Sequence, residues 1–288
     1  MPFALLITTA IAIILLVLPG HAFAWGPATH LDVGLSLLNM SGAVFEPVRL
    51  IIERFPQDFL YGNISADIVV GKNLVEELKH CHNWKFGFKL LRGAESDCQK
   101  SFAYGYLSHL AADTVAHNHY IPEMMIRSFS ARTLRHIYWE MRFDALAEKK
   151  TWLLAERAAK EAHPEDDKLL DSIIEDAPFS FRTNKTIFSG ILTLHRIERW
   201  RRMLKILSSS SRWSLNEDDR VRFLKSSVES ALSLLNLQTR SACIKKDPTG
   251  RQALNNAKSL RKTLKSSKRR GMDWKAAVQE AIKHINLG

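Results

Sequence analysis

Apolar residues recur at three- and four-residue spacing along almost the whole chain beyond residue 25. That period lines them up on one stripe of a helix. Residues 30–40, 46–54 and 102–118 carry it, as do 184–207 and 216–237. Residues 130–160 predict one long helix or two abutting ones, ending before His163-Pro164, and a last helix is expected near 273–285. Runs that alternate apolar and polar between turn pairs, the mark of strands, are not evident. Breaks are expected at Pro56, Gly62-Asn63, Gly71, Gly93, 164–167, 208–211 and 247–250. The expectation is an all-α chain, a helical bundle in which any site is built from side chains on facing helices.

The start of the chain departs from this pattern. Residues 3–18 are almost wholly apolar, Pro19-Gly20 breaks the run, and Ala22-Phe23-Ala24 supplies a small-x-small cleavage site. Residues 1–24 therefore read as a secretory signal peptide, with export (periplasmic or secreted) and a mature chain beginning at Trp25. The n-region has no Lys or Arg, only the amine of Met1. The rival is an uncleaved anchor, but the apolar run is at the short end of the roughly 17–25 residues that a span needs.

Charge adds a second asymmetry. The formal net charge is +11, and residues 245–288 hold twelve Lys/Arg against three Asp/Glu, a net +9. Such a segment suits an anionic membrane surface or a nucleic-acid backbone, and equally a solvated helical face. Of three cysteines, Cys81 and Cys98 either pair in an exported chain, leaving Cys243 over, or all are buried thiols. The absence of CxxC removes cysteine-type zinc fingers and redox motifs.

The eleven histidines concentrate the chemistry. In "AYGYLSHLAADTVAHNHY", residues 103–120, His109, Asp113 and His117 stand at i, i+4 and i+8 on one helix face. Three such groups on an otherwise apolar helix are costly to bury unless something binds them. His136 and Glu140 form another i, i+4 pair. "KHCHNW" offers His80 and His82, "GNISAD" places Asp67 after a glycine turn, and Trp25 and His30 stand at the mature start. Nitrogen and carboxylate donors without thiolates suit zinc or a related divalent ion. His163 reads as surface loop and His195 as helix surface. Trp84 and Phe86 read as core aromatics or as the wall of an apolar cleft.

The order Trp-x4-His, Asp, His, His-x3-Asp-x3-His, His-x3-Glu resembles the zinc-dependent phospholipase C family, whose all-helical fold and three-zinc site are shared with a class of single-strand nucleases. The resemblance runs from Trp25 to Glu140, and helices to about residue 208 complete the unit. Residues 25–212 then form the catalytic domain and 213–288 a basic helical extension. The resemblance implies up to three zinc ions. Trp25, through its α-amine and carbonyl oxygen, would hold one with His30 and a bridging Asp113. His80, His109 and Asp113 would hold a second, and His117, His136 and Glu140 the third. His82 is the alternate to His80, and His119 to His117. Asp67 would hold or deprotonate the attacking water. The implied reaction is hydrolysis of a glycerophospholipid to diacylglycerol and a phosphorylated headgroup, since clustered zinc makes hydroxide available near neutral pH. Two alternatives stand beside it: a zinc-dependent nuclease, with nucleic acid as partner, and a non-catalytic exported helical binding module.

Overall fold

The computed structural model describes residues 25–68, 81–131, 136–174, 180–196 and 215–287, and every regular element among them is helical. The apolar leader, His80, Gly71 and the 208–211 break lie outside the described residues.

Proline opens helices here more than it breaks them. Pro27, Pro47, Pro56, Pro122 and Pro164 all stand in the first two positions of a helix, where the missing N–H has no intrahelical partner to lose. So α1 (Pro27–Asn39), α2 (Glu46–Arg54) and α3 (Pro56–Ser65) follow one another closely. Side-chain caps start others. Asn83 accepts from the Phe86 amide at the head of α4 (Trp84–Gly93), and Ser96 from the Gln99 amide at the head of α5 (Asp97–Val115). α5 passes through a π-turn at Ala116–Tyr120 into α6 (Ile121–Arg127). The 130–160 stretch resolves into two helices, α7 (His136–Asp144) and α8 (Lys149–Lys160), followed by α9 (Pro164–Ile173) and α10 (Phe181–Arg196). Asn216 caps α11 (Glu217–Leu237), and α12 (Arg251–Arg269) and α13 (Trp274–Leu287) complete the order.

Three expected breaks are corrected, the first of them 164–167, which forms the opening turn of α9. Pro56 begins α3, and Gly62-Asn63 lies inside it. The glycine serves packing, because a Cβ on Gly62 would lie 2.1 Å from the Phe102 carbonyl oxygen, and one on Gly105 would lie 2.0 Å from that of Phe59. Backbone meets backbone where α3 crosses α5, and only glycine allows such an approach.

α5 is the central helix, buried at nearly every position from Gln99 to Val115. Phe59, Leu107, Ala111 and Tyr120 join one side of the core, Tyr61, Phe102, Tyr106 and Leu110 another. The chain from Leu215 on shares this core: Phe223, Ala231, Leu234 and Leu235 of α11 pack with Trp25, Val33 and Leu37. α12 and α13 close over α6 through Leu264, Ala281, Ile126 and Phe129. All three cysteines are free thiols, so the Cys81–Cys98 pairing is not made. Cys81 faces the Ala66 carbonyl, whereas Cys98 sits beside Asp58.

Candidate metal centre

Of the spacing read from "HLAADTVAH", the His109–Asp113 step survives folding, whereas His117 falls on the π-turn after α5. His109 and Asp113 are one turn apart on α5, with His109 Nε2 3.3 Å from Asp113 Oδ2. α1 brings His30 from the opposite side, its Nε2 3.2 Å from Asp113 Oδ1 and its ring stacked on His109 at 3.7 Å between centroids. The turn closing α3 delivers Asp67, and the segment before α4 delivers His82. His82 Nε2 lies 3.2 Å from Asp67 Oδ1, 3.5 Å from Asp113 Oδ2 and 3.1 Å from His109 Nε2. Two groups of donor atoms result, His30–His109–Asp113 and Asp67–His82–His109, each spanning no more than 4.8 Å. A third, His117–His136–Glu140, spans the same distance, with His136 Nε2 2.7 Å from Glu140 Oε1.

Burial is nearly complete. His30, His109 and Asp113 are 0 % exposed, and Asp67, His82 and His117 are 1 %. Only His136 reaches toward solvent, its side chain 14 % exposed. Carbonyl oxygens set two of the tautomers. His109 Nδ1–H donates to the Asn63 carbonyl at 2.8 Å, and His117 Nδ1–H to the Pro248 carbonyl at 2.6 Å. Each turns Nε2 into the cluster, the arrangement usual for metal-bound histidine.

The donor chemistry fits divalent cations. Both ring nitrogens of His30, both oxygens of Asp113 and Nε2 of His117 are buried and make no hydrogen bond. Buried polar atoms without partners are costly. Burial and the neighbouring His109 lower the His30 pKa, and burial and His136 lower that of His117. Burial opposes the Asp113 charge, but His109 and His30 outweigh it and hold the carboxyl well below its ordinary value. At His109 burial favours the neutral ring, and Asp113 overrides it, so its pKa is raised. At His30 and His117 neutral imidazole beside ionised Asp113 is the protonation state that metal ligation requires, whereas His109 would give up its ring proton to a bound cation.

The expected residues divide as follows. Trp25, 0 % exposed, has its ring between Tyr120 and Phe143, with Nε1–H donating to the Ala112 carbonyl and the Ser227 hydroxyl, both at 3.1 Å. That anchors Trp25 at the residue before Asp113. His80 lies outside the described residues, and the alternate His82 occupies the cluster. Asp67 is itself in donor position, grouped with His82 and His109. His117 joins the third group, whereas His119, two residues on in the same π-turn, meets Lys246 Nζ at 2.8 Å. Phe86 is core, and Trp84 donates its Nε1–H to the Lys246 carbonyl.

Two contributors were not evident in the sequence. Asn63 was hidden in an apparent break, and Pro248 lies 131 residues from the histidine it orients. His163, expected on a surface loop, is 7 % exposed and stacks on Tyr61 at 4.0 Å. His195 lies in α10, its side chain outside the described residues.

A family model described as zinc-dependent phospholipase C matches residues 29–197, more than half of the chain. Comparison with curated proteins and with solved structures finds no match.

Proposed function

Because this chain belongs to the zinc-dependent phospholipase C family, we propose that it hydrolyses a glycerophospholipid on the glycerol side of the phosphate, giving diacylglycerol and a phosphorylated headgroup. One observation carries the reading: eight carboxylate and imidazole side chains form three adjoining donor groups, two of which share His109. Adjoining divalent ions would supply a water of lowered pKa and a clamp for phosphoryl oxygens.

The chain's own residues do the rest. Asp113, held ionised against His30 and His109, is the shared anion of the cluster. Asn63 and Pro248 lock His109 and His117 in their donor tautomers, so no ring reorientation precedes binding. Asp67 stands at the His82 side, where its carboxylate orients the attacking water and receives its proton. Substrate phosphate approaches from the His136 edge, the most exposed part of the set.

The same reading gives the N-terminus a role. Cleavage after Ala24 would create a free α-amine on Trp25, beside a helix carrying Asp113, and export would then coincide with completion of the site. The basic α12, with Arg251, Lys258, Lys262 and Lys268, supports peripheral contact with an anionic membrane.

The test uses zinc-loaded protein starting at Trp25, offered phosphatidylcholine vesicles and single-stranded DNA in parallel. Release of diacylglycerol, abolished by chelator and by Asp113→Asn, is expected, with DNA intact. Cleavage of DNA without lipid hydrolysis assigns the nuclease reaction instead. Turnover of neither substrate by a fully zinc-loaded sample supports the binding module.

A further inference from the structure

We propose that Asp144, the last residue of α7, is a positioning residue for the metal centre: it caps α1 from another helix and so sets the place of His30 and of the chain start at Trp25. Asp144 itself touches neither ion nor substrate. Its role follows from the reading of His30, His109 and Asp113 as metal donors.

The need arises at the head of α1. Gly26 stands at the N-cap with no side chain to cap with, and Pro27 follows it. A helix start leaves its first amides without intrahelical partners, and an N-cap side chain ordinarily accepts from the second or third of them. In α1 the third residue is Thr29. Its amide donates to Asp144 Oδ1 at 2.8 Å, and its hydroxyl donates to the same oxygen at 2.6 Å. Asp144 and Thr29 are both buried, so solvent does not compete for these bonds. The cap therefore comes from a residue 115 positions away.

Glycine stands at 26 for space. Its φ of −74° suits any residue, but a Cβ there would lie 2.2 Å from Asp144 Oδ2 and 2.4 Å from Asp144 Cγ. The carboxyl group fills the room that a side chain would take, and from there it reaches Thr29. The neighbouring residue of α7 completes the grip, because the Phe143 ring packs on Trp25 with 4.1 Å between centroids. Phe143 and Asp144 thus hold residues 25, 26 and 29, and His30 comes next in the chain.

His30 depends on that grip more than the other donor histidines do. The Asn63 carbonyl orients His109, and the Pro248 carbonyl orients His117. His30 Nδ1 is buried and makes no hydrogen bond. No second-nitrogen contact fixes its ring, so its approach to Asp113 at 3.2 Å and its stacking on His109 are set by where the backbone of α1 begins. The series His136, Glu140, Asp144 recurs every four residues on α7. Its first two members enter the third donor group and its last one turns to α1. One helix therefore supplies donors to one end of the centre and holds the donor-bearing helix at the other.

The test is cadmium-113 NMR on the mature chain loaded with cadmium alone. Each occupied group gives its own line, and His30→Gln and His136→Gln assign the first and third groups. In Asp144→Ala the His30 line should move or broaden and the cadmium affinity of that group fall about tenfold, the size typical for a residue that orients a ligand. The His136 line should stay. Asp144→Asn keeps an acceptor oxygen and should restore the parent line and affinity. Gly26→Ala, which alters no donor, should reproduce the Asp144→Ala defect by pushing the carboxyl group off Thr29. General loss of stability would weaken both groups alike, so equal weakening overturns the proposal. So does an unshifted His30 line in Asp144→Ala, or an Asp144→Asn variant as defective as Asp144→Ala. These outcomes leave the metal reading standing, whereas a parent with no line sensitive to His30→Gln overturns that reading and this one together. Should Asp144→Ala not fold, Gly26→Ala decides, and an unshifted His30 line there overturns the proposal.

Discussion

Gly105→Ala tests the link between fold and metal centre most directly. The added Cβ would stand 2.0 Å from the Phe59 carbonyl oxygen, 2.9 Å from the Phe59 carbonyl carbon and 3.1 Å from the Asn63 amide nitrogen. All three are backbone atoms of α3, so no side-chain rotation relieves the contact. Bringing the shortest of them past 3.0 Å requires α3 and α5 to part by about 1 Å. Alanine in place of glycine gains about 1 kcal/mol of helix propensity, but overpacking costs about 1–3 kcal/mol, and a backbone clash this short belongs at or above the upper end. The net expectation is a destabilisation of about 2 kcal/mol, a fall in melting temperature of roughly 4–8 °C for a domain of this size. The same shift separates Asp67, in the turn that closes α3, from His109 and Asp113 on α5, and moves the Asn63 carbonyl that orients His109. Ligand distances tolerate only about ±0.2 Å, so zinc content after dialysis should fall as well. Circular-dichroism melts with chelator and with zinc, together with elemental analysis, measure both effects. Gly190→Ala is the control of opposite sign: nothing lies within 4 Å of its Cβ position in α10, and about 0.5–1 kcal/mol of stabilisation is expected. A Gly105→Ala protein that melts within a degree of the parent and keeps all its zinc would refute the close-approach account.

Gly250 has φ +55°, and its Cβ would meet His117 Cβ and carbonyl oxygen at 2.5 Å. Gly250→Ala should therefore displace the turn that orients His117 and weaken zinc binding in the His117–His136–Glu140 group, read as one lost equivalent; unchanged content counts against a positioning role for 247–250. Burial pushes the Asp144 carboxyl up to about 7 despite hydrogen bonds from the Thr29 amide and hydroxyl. The folded chain thus keeps a proton that the unfolded chain has released, and the parent loses stability as pH rises from about 4 to 7, by up to about 4 kcal/mol. Asp144→Asn should flatten that part of the profile in urea unfolding, and parallel profiles would reject the assignment. One residue added before Trp25 should lower zinc content by one equivalent and remove most hydrolase activity; full content and full activity in the extended protein rule out the terminal amine as a ligand.

Features that depend on neighbouring residues were legible in the sequence. The helical class follows from the apolar period, and the meeting of His109 with Asp113 follows from their spacing on one helix, because both are set within a few turns of backbone. Pro56 and Gly62 misled for one shared reason. Their local propensities signal a break, whereas first-turn geometry at Pro56 and contact with α5 at Gly62 make both compatible with helix.

The sequence by itself determined a helical protein with a central donor-rich helix, and donor types suited to zinc. Tertiary structure decided which donors meet: His82 beside Asp67, and His117 in the third group with His119 turned to Lys246. It also recruited the segment after Leu215, as core through Phe223 and Leu234 and as the carbonyl of Pro248 behind His117. The physical reason is range. Period and spacing act over one or two turns of helix, while a metal site closes on donors within a few ångströms, whose separation along the chain is set only by how helices cross.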